Sequence, residues 1–208
     1  MFDTIRSTAE AVSKMHLGPW QILEDVLLVG EGNLSFAKSL LNIPQAGVTL
    51  MTATVFEKEK NVSGETIENA NIIKRIGGNV LYGVDATRLD KYLKLYKFDT
   101  IIFQFPNVAS RDGKHGHNPN HVMIRRFLRS AIPYLNEGGR VLITAVDTPH
   151  YQGIFKFDDA AFFSGYDVAQ RYPFDPSMFP EYSHVNTNDD DSALDDYNCF
   201  ATWVFKLE

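Results

Sequence analysis

One stretch of the sequence, VLLVGEGNLSF at residues 26–36, decides the fold. Its first four residues are apolar and have the length of a buried strand. They run into Gly30 and then Gly32, which let the backbone turn tightly and approach a ligand closely. Asn33 is a suitable N-cap for a helix over residues 34–41. The stretch therefore predicts a strand, a glycine turn and a helix, the first unit of an α/β sheet.

The same alternation of strand and helix continues along the chain. The connections are long enough for parallel pairing, and the last two strands favour an antiparallel hairpin at one edge. We therefore predict a doubly wound α/β fold with a mostly parallel sheet and helices on both faces. The predicted strands are residues 25–30, 48–56, 79–84, 99–105, 140–146, 166–170 and 200–205. The predicted helices are residues 34–41, 61–76, 122–135 (ended by glycines 138 and 139) and 154–164.

The composition is that of an ordinary globular protein. The chain has 208 residues, of which 44% are hydrophobic and 22% are charged, and this excludes a largely disordered protein. We expect a single domain over residues 1–208, with a helical extension at residues 1–20 and a polar, acidic loop at residues 173–198. No apolar run is long enough for a membrane span, and we expect no secretory signal.

A single cysteine, Cys199, excludes an internal disulfide and a cysteine-rich zinc site. We therefore expect a reducing, cytoplasmic environment. The net charge of −6 argues against a protein that coats nucleic acid by bulk charge. That charge is unevenly distributed, because residues 181–196 contain six acidic residues and no Lys or Arg.

A basic segment at residues 111–129 opposes this acidic stretch. It has a local charge of +4, from Asp112 and five basic residues: Arg111, Lys114, Arg125, Arg126 and Arg129. These side chains either bind a phosphate or another anionic substrate, or form a solvated helix face. An anionic substrate at this place is therefore compatible with the negative net charge.

Acidic residues follow the second and third predicted strands. In open parallel sheets, ligands bind beyond the carboxyl ends of the strands. Glu57 could accept hydrogen bonds from both ribose hydroxyls, and Asp85 could bind an adenine amino group. Ser35 stands where a dinucleotide motif has its third glycine, which disfavours a pyrophosphate. The pattern favours S-adenosylmethionine over NAD, although the glycine turn could also serve the fold alone.

The fourth predicted strand ends in the candidate catalytic residues Gln104, Phe105, Pro106 and Asn107. A side-chain amide can hold a planar nitrogen nucleophile by hydrogen bonds, and an aromatic ring can stack on it. These residues are therefore suited to positioning an acceptor for methyl transfer, a reaction in which alignment matters greatly.

The polar loop at residues 107–120 contains further candidate substrate-binding residues: Arg111, Lys114, His115 and His117. Either histidine could take a proton from the acceptor, or be an exposed loop residue without such a role. Together with His121 they have a spacing that could hold a metal. We expect no metal, because loop histidines rarely bind one without further ligands.

Several segments resemble the eukaryotic 25S rRNA uridine-N3 methyltransferase family, over about residues 24–207. LLVGEGNLSF at residues 27–36 is similar to LLVGEGDFSF of that family. Further segments that resemble family motifs are ATVFE at 53–57, YGVDATRL at 82–89, FDTIIFQFPN at 98–107, FPEYSH at 179–184 and FATWVFK at 200–206. The family counterparts of YGVDATRL and FDTIIFQFPN are HGVDATKL and FD-IIFNFPH, and that of FPEYSH is YPGY-H.

This resemblance implies a Rossmann-like class I methyltransferase with a seven-stranded sheet and S-adenosylmethionine as cofactor. It places Glu57 at the ribose and Asp85 with Ala86 at the adenine. The glycine loop would wrap the methionine part, with cofactor-binding residues Gly30, Glu31, Gly32, Asn33, Leu34 and Ser35. The implied activity is N-methylation of a uridine in RNA, in the cytoplasm or the nucleolus.

Three positions depart from the family pattern, and two alternatives to that activity stay open. Asn33 replaces an acid, Gln104 replaces the Asn of NFPH, and Asn107 replaces its His. The last two changes lie where the substrate base is expected. The alternatives are a methyltransferase of a small anionic or heterocyclic molecule, and a non-catalytic module that binds S-adenosylmethionine.

Overall fold

A seven-stranded sheet forms the centre of the computed structural model, which describes residues 17–108, 116–184 and 197–208. The strand order is β3-β2-β1-β4-β5-β7-β6. Strands β1 to β5 pair in parallel, whereas β7 is antiparallel to both β5 and β6. The strands are β1 Glu24–Val29, β2 Val48–Val55, β3 Asn79–Tyr82, β4 Phe98–Gln104, β5 Leu135–Val146, β6 Gln170–Phe174 and β7 Phe200–Lys206. The mostly parallel sheet with a C-terminal antiparallel hairpin is confirmed.

Helices cover both faces of the sheet, as predicted. They are α1 Ser35–Leu41, α2 Gly64–Arg75, α3 Pro119–Ala131, α4 Pro149–Phe155 and α5 Phe157–Phe162. Neighbouring residues of β1 point to opposite faces, so Leu27 belongs to the core beneath α3 to α5 and Leu28 to the core beneath α1 and α2. This two-sided burial explains why the central strand is apolar at successive positions.

Helix α3 begins and ends earlier than residues 122–135. Its N-terminus is capped by Asn118, whose Oδ1 accepts a hydrogen bond from the Asn120 amide, and Pro119 occupies the first turn. The α-helix stops at Ala131, and a 3-10 turn containing Pro133 follows. The prediction that glycines 138 and 139 end the helix is wrong, because both lie within β5.

The predicted helix at residues 154–164 is also wrong, because the chain forms two shorter helices there. Lys156, with φ of +48°, separates α4 from α5. The predicted strand at residues 166–170 is displaced to β6, and Tyr166 makes only an isolated bridge with Leu207. The buried Tyr166 hydroxyl donates to the Leu128 carbonyl oxygen, which fixes this residue against α3.

Residues 173–184 are more ordered and more apolar than the predicted loop at 173–198. The first two complete β6, and a 3-10 turn at Pro176–Met178 follows. Phe174 and Phe179 are both buried in the core beneath α1. Residues 185–196 lie outside the described part of the chain. The same holds for residues 1–16 of the predicted N-terminal extension. Of this extension the structure describes the buried Leu17 and the 3-10 turn Gly18–Trp20.

Candidate functional site

The turn after β1 requires a glycine at its first position. Gly30 has φ of +65°, in the left-handed region that side chains with a Cβ rarely adopt. A Cβ at Gly30 would also lie 2.5 Å from Cε2 of Phe103 on the neighbouring strand β4. The backbone therefore passes close to β4 at the carboxyl ends of the parallel strands, where a ligand is expected.

Glu31 caps helix α1. The N-cap position belongs to Leu34, which has no polar side chain and a φ of +64°. The amide of Ala37, in the first turn, instead donates to Oε2 of Glu31 over 3.1 Å. Asn33, the predicted cap, accepts a hydrogen bond from the Ser35 amide. The loop therefore folds back on the helix and satisfies amides that Leu34 cannot.

The carboxyl of Glu31 is buried, with only 5% of the residue exposed. Loss of hydration raises the pKa of Glu31 to about 7, although the hydrogen bond from Ala37 opposes the shift. Near neutral pH this group therefore changes between a neutral and a charged form. The resemblance assigns Glu31 to the methionine part of the cofactor, which carries a positively charged amino group that a carboxylate would attract.

Residues 179–184, here called the closing segment, pack on the glycine loop and the start of α1. Asn33 Nδ2 donates to Ser183 Oγ over 2.9 Å, and Ser35 Oγ donates to the Ser183 carbonyl oxygen over 2.8 Å. The rings of Phe179 and Tyr182 lie 4.8 and 5.0 Å from that of Phe36. Asn33 and Ser35, predicted as cofactor residues, therefore also fix the closing segment.

Glu57 follows β2 at the same edge of the sheet. Its Oε2 is buried and has no hydrogen-bond partner among the described residues. Its carbonyl oxygen accepts a hydrogen bond from the Gly83 amide over 2.8 Å, which brings the ends of β2 and β3 together. Buried polar atoms are almost always paired in a complete complex, so this oxygen is suited to a ligand hydroxyl.

Asp85 lies beyond β3, next to the buried Ala86. One carboxylate oxygen, Oδ1, accepts hydrogen bonds from the amide and the hydroxyl of Thr87, at 2.9 and 2.7 Å. Asp85 thus caps the following 3-10 turn, which begins at Ala86. Its assigned role at an adenine amino group stays a prediction.

Gln104 ends β4 with a buried and unpaired amide. Only 7% of the residue is exposed, and neither Oε1 nor Nε2 has a hydrogen-bond partner within the described chain. An unsatisfied buried amide is costly to the free protein, by about 1–3 kcal/mol. Such a group is typical of a site that binds a polar ligand.

Phe105 and Pro106 shape the turn that follows. Phe105 adopts a left-handed φ of +44°, and its amide donates to the Thr144 carbonyl oxygen over 2.8 Å. Its ring contacts those of His184 and Phe200, with centroids 4.8 and 5.5 Å apart. Pro106 is buried, whereas Asn107 is exposed. The buried Gln104 amide and the half-buried Phe105 ring therefore lie together at the end of β4, and Asn107 lies at the surface.

Three predicted substrate residues, Arg111, Lys114 and His115, lie outside the described residues. The fourth, His117, is exposed, and its ring lies 6.3 Å from that of the buried His121. Among the residues the structure describes, no group of three or more acidic, His or Cys side chains is placed to hold a metal.

Two arginines of the basic segment, Arg125 and Arg129, contact Phe163, the residue that follows α5. The guanidinium of Arg125 lies 4.3 Å from the ring centroid of Phe163, and Arg129 donates to the Phe163 carbonyl oxygen over 2.7 Å. These contacts favour a structural role for both residues over anion binding. Arg126 is exposed.

Sequence reasoning missed the contribution of the closing segment. Tyr182 and His184 share a hydrogen bond between the tyrosine hydroxyl and Nδ1, 3.3 Å apart. Burial raises the pKa of Tyr182 well above its ordinary value, and the nearby charge of Glu31 adds to this effect. The FPEYSH motif was the available signal, but its sequence says nothing about where the segment packs.

These residues fit S-adenosylmethionine. The fit rests on the tight approach at Gly30, the unpartnered Glu57 oxygen and the buried carboxyl of Glu31. Gln104 then lies at the next strand end, where a second molecule can receive a group from the first. This arrangement suits transfer between a nucleoside-containing donor and a planar polar acceptor.

Comparisons with known proteins agree with this geometry. The family described as BMT5-like, rRNA (uridine-N3-)-methyltransferase BTM5-like, matches residues 27–186. The uncharacterised protein At4g26485 of Arabidopsis thaliana is 28% identical over 183 residues, which cover 82% of this chain and 86% of that protein. The family match includes the glycine loop, both strand-end acids and the closing segment.

Two solved structures show the fold. TrmN from Thermus thermophilus superposes with a TM-score of 0.56 at 15% identity, covering 96% of this chain and 48% of TrmN. A methyltransferase from Pyrococcus furiosus superposes with a TM-score of 0.53 at 18% identity, covering 96% and 81%. This chain spans about half the length of TrmN. The fold is that of class I methyltransferases.

Proposed function

We infer the function from the family. The chain belongs to the BMT5-like rRNA (uridine-N3-)-methyltransferases. We propose that it methylates N3 of a uridine in RNA. The observation that carries this proposal is the buried, unpartnered amide of Gln104 at the end of β4. Uracil presents N3–H between two carbonyl oxygens, so a side-chain amide is complementary to its edge.

The donor site would be formed by the glycine loop and the acids of β2 and β3. Glu57 would accept hydrogen bonds from the ribose, and Asp85 with Ala86 would lie at the adenine. The charged form of Glu31 would attract the amino group of the methionine part, which the buried setting strengthens. Bound S-adenosylmethionine supplies an electrophilic methyl group on its sulfonium.

The acceptor site would be formed by Gln104 and Phe105. Nε2 of Gln104 would donate to one uracil carbonyl oxygen, and the Phe105 ring would contact the base. The left-handed backbone at Phe105 turns the chain sharply at this point, which helps to keep the amide and the ring on one site. Much of the rate enhancement would come from alignment of N3 with the methyl group.

Gln104 and Asn107 differ from the NFPH pattern of the resembling family, and the proposal accommodates both. Gln is one methylene longer than Asn but has the same donor and acceptor atoms. Asn107 is exposed, so the loss of a histidine there leaves the buried amide of Gln104 unchanged. The uridine assignment therefore depends on Gln104 rather than on Asn107.

The test is transfer of a labelled methyl group from S-adenosylmethionine. Purified protein is incubated with RNA and, separately, with a small-molecule extract. We expect label in RNA, and a loss of about 100-fold or more for Gln104→Ala, because the amide that orients the base is removed.

Gln152→Ala is the matched control, because this glutamine is exposed on α4. Its activity should stay near that of the unaltered protein. Label only in the small-molecule extract would overturn the RNA assignment in favour of a small acceptor. Cofactor binding without transfer to either would favour a non-catalytic module.

A further inference from the structure

His184 is the described histidine that lies at the acceptor site. Its ring centroid is 4.8 Å from that of Phe105, at an interplanar angle of 53°. Phe105 directly follows Gln104, whose amide is the group proposed to hold the base. A flat acceptor that contacts the Phe105 ring therefore comes close to the imidazole.

The closing segment fixes the position of His184. Two backbone hydrogen bonds fix its neighbour Ser183. The Ser183 amide donates to Ser35 Oγ over 3.1 Å, and the Ser183 carbonyl oxygen accepts a hydrogen bond from the same hydroxyl over 2.8 Å. Asn33 Nδ2 adds a third hydrogen bond to the Ser183 hydroxyl. The imidazole is thus tied to the loop that is proposed to bind the donor.

Tyr182 orients the ring. Its hydroxyl and Nδ1 of His184 are 3.3 Å apart, so the two groups share a hydrogen bond. When Nδ1–H donates to the tyrosine oxygen, the basic lone pair of the neutral ring is on Nε2. Fixing one ring nitrogen in this way is how proteins prepare the other as a base.

The other described histidines are placed differently. His121 is buried on α3, with Nδ1 hydrogen bonded to the Phe155 carbonyl oxygen over 2.8 Å. His150 is exposed on α4 and contacts Tyr151, and His117 is exposed near His121. The ring contact with Phe105 distinguishes His184 from these three.

We propose that His184 is the general base that accepts the N3 proton of the acceptor uridine, an inference that rests on the proposed function. The proton moves from N3 to Nε2 as the N3–methyl bond forms and the methyl–sulfur bond breaks. The electron pair of the broken methyl–sulfur bond stays on sulfur, so the sulfonium becomes a neutral thioether. The imidazole gains the proton and becomes a positively charged imidazolium. Solvent later removes the proton.

The experiment compares His184→Gln with His150→Gln, which changes an exposed histidine away from the site. We expect His184→Gln to lower kcat by about 100-fold, with little change in KM for RNA. Both variants should bind S-adenosylhomocysteine with the affinity of the unaltered protein, as measured by calorimetry. This shows that the donor site is intact.

An acceptor with a more acidic N3–H tests whether His184 acts as a base or only supports the structure of the site. An RNA in which the target uridine is replaced by 5-fluorouridine needs less help to lose its proton. Its use should reduce the deficit of His184→Gln by about tenfold. The imidazole NMR signals of His184, assigned by their loss in the variant, should also shift when this RNA is added.

Two results overturn the inference while leaving the proposed function standing. One is His184→Gln activity within about threefold of the unaltered protein. The other is an equal deficit with uridine and 5-fluorouridine, which is the behaviour of a merely structural residue. If the unaltered protein methylates no RNA at all, the proposed function fails first and the inference falls with it.

Discussion

Replacing Glu31 by Gln should change how the stability of the protein depends on pH. Glu31 is buried and has a pKa raised from 4.5 to about 7. The folded protein therefore binds more protons than the unfolded chain between these two values, so the free energy of unfolding falls as pH rises through this window. The loss is complete above the folded pKa, near pH 7.

The size of the effect follows from the pKa change. At about 1.4 kcal/mol per pKa unit, the shift corresponds to about 3 kcal/mol. The introduced glutamine cannot ionise, but its side-chain oxygen can still accept the hydrogen bond from the Ala37 amide. The variant should match the unaltered protein near pH 4, below the unfolded pKa, and exceed it by up to about 3 kcal/mol near pH 8.

The assay is urea unfolding of both proteins between about pH 4 and pH 8.5, without ligand. The difference between the two free energies of unfolding isolates Glu31 from the other titrating groups. Glu68→Gln, which removes one negative charge from an exposed position of α2, controls for the change in net charge. A Glu31→Gln difference that is independent of pH, or that favours the unaltered protein at high pH, would refute the reasoning.

Three further predictions concern the closing segment, the acceptor amide and the ribose acid. Glu181 has a left-handed φ of +64° and pairs with Lys38 over 3.0 Å. Glu181→Gly and Glu181→Ala both lose this ion pair, but only glycine adopts the left-handed backbone without strain, so thermal unfolding should show the Gly variant more stable by about 1 kcal/mol. Equal stability of the two variants would contradict the strain. Gln104→Leu removes an unpaired buried amide, so the free energy of unfolding in urea should rise by about 1 kcal/mol while methyl transfer is lost. A destabilised variant would show that the amide is paired in solution. Glu57→Gln should weaken the binding of S-adenosylhomocysteine by about tenfold in calorimetry, whereas the control Glu59→Gln, at an exposed position, should not. Equal affinities of the two variants would show that Glu57 does not bind the donor.

The first part of the fold was predictable because its signals are local. Residues 26–29 of β1 are apolar at successive positions since both faces of the strand are buried there, and the glycine that follows is required by its backbone angle. Acids at strand ends could be placed at one edge of the sheet by topology alone. The family motifs added the expected ligand, S-adenosylmethionine.

The later elements were not predictable in the same way. Tyr166 has a strand-like sequence context, but its hydroxyl bonds to α3, and the strand forms four residues later. The closing segment contacts residues 148 positions away, at Ser35, and a single sequence has no local signal for such a contact. The buried setting of Glu31, the pairing of Tyr182 with His184 and the packing of Arg125 on Phe163 likewise exist only in the folded chain.

The central claim is that this protein transfers a methyl group to N3 of uridine in RNA. The most direct measurement uses S-adenosylmethionine with a trideuterated methyl group, followed by digestion of the RNA to nucleosides and mass spectrometry. We expect deuterated 3-methyluridine, formed about 100-fold or more slowly when Gln104→Ala replaces the unaltered protein. Deuterium in a different nucleoside, or in none, would contradict it.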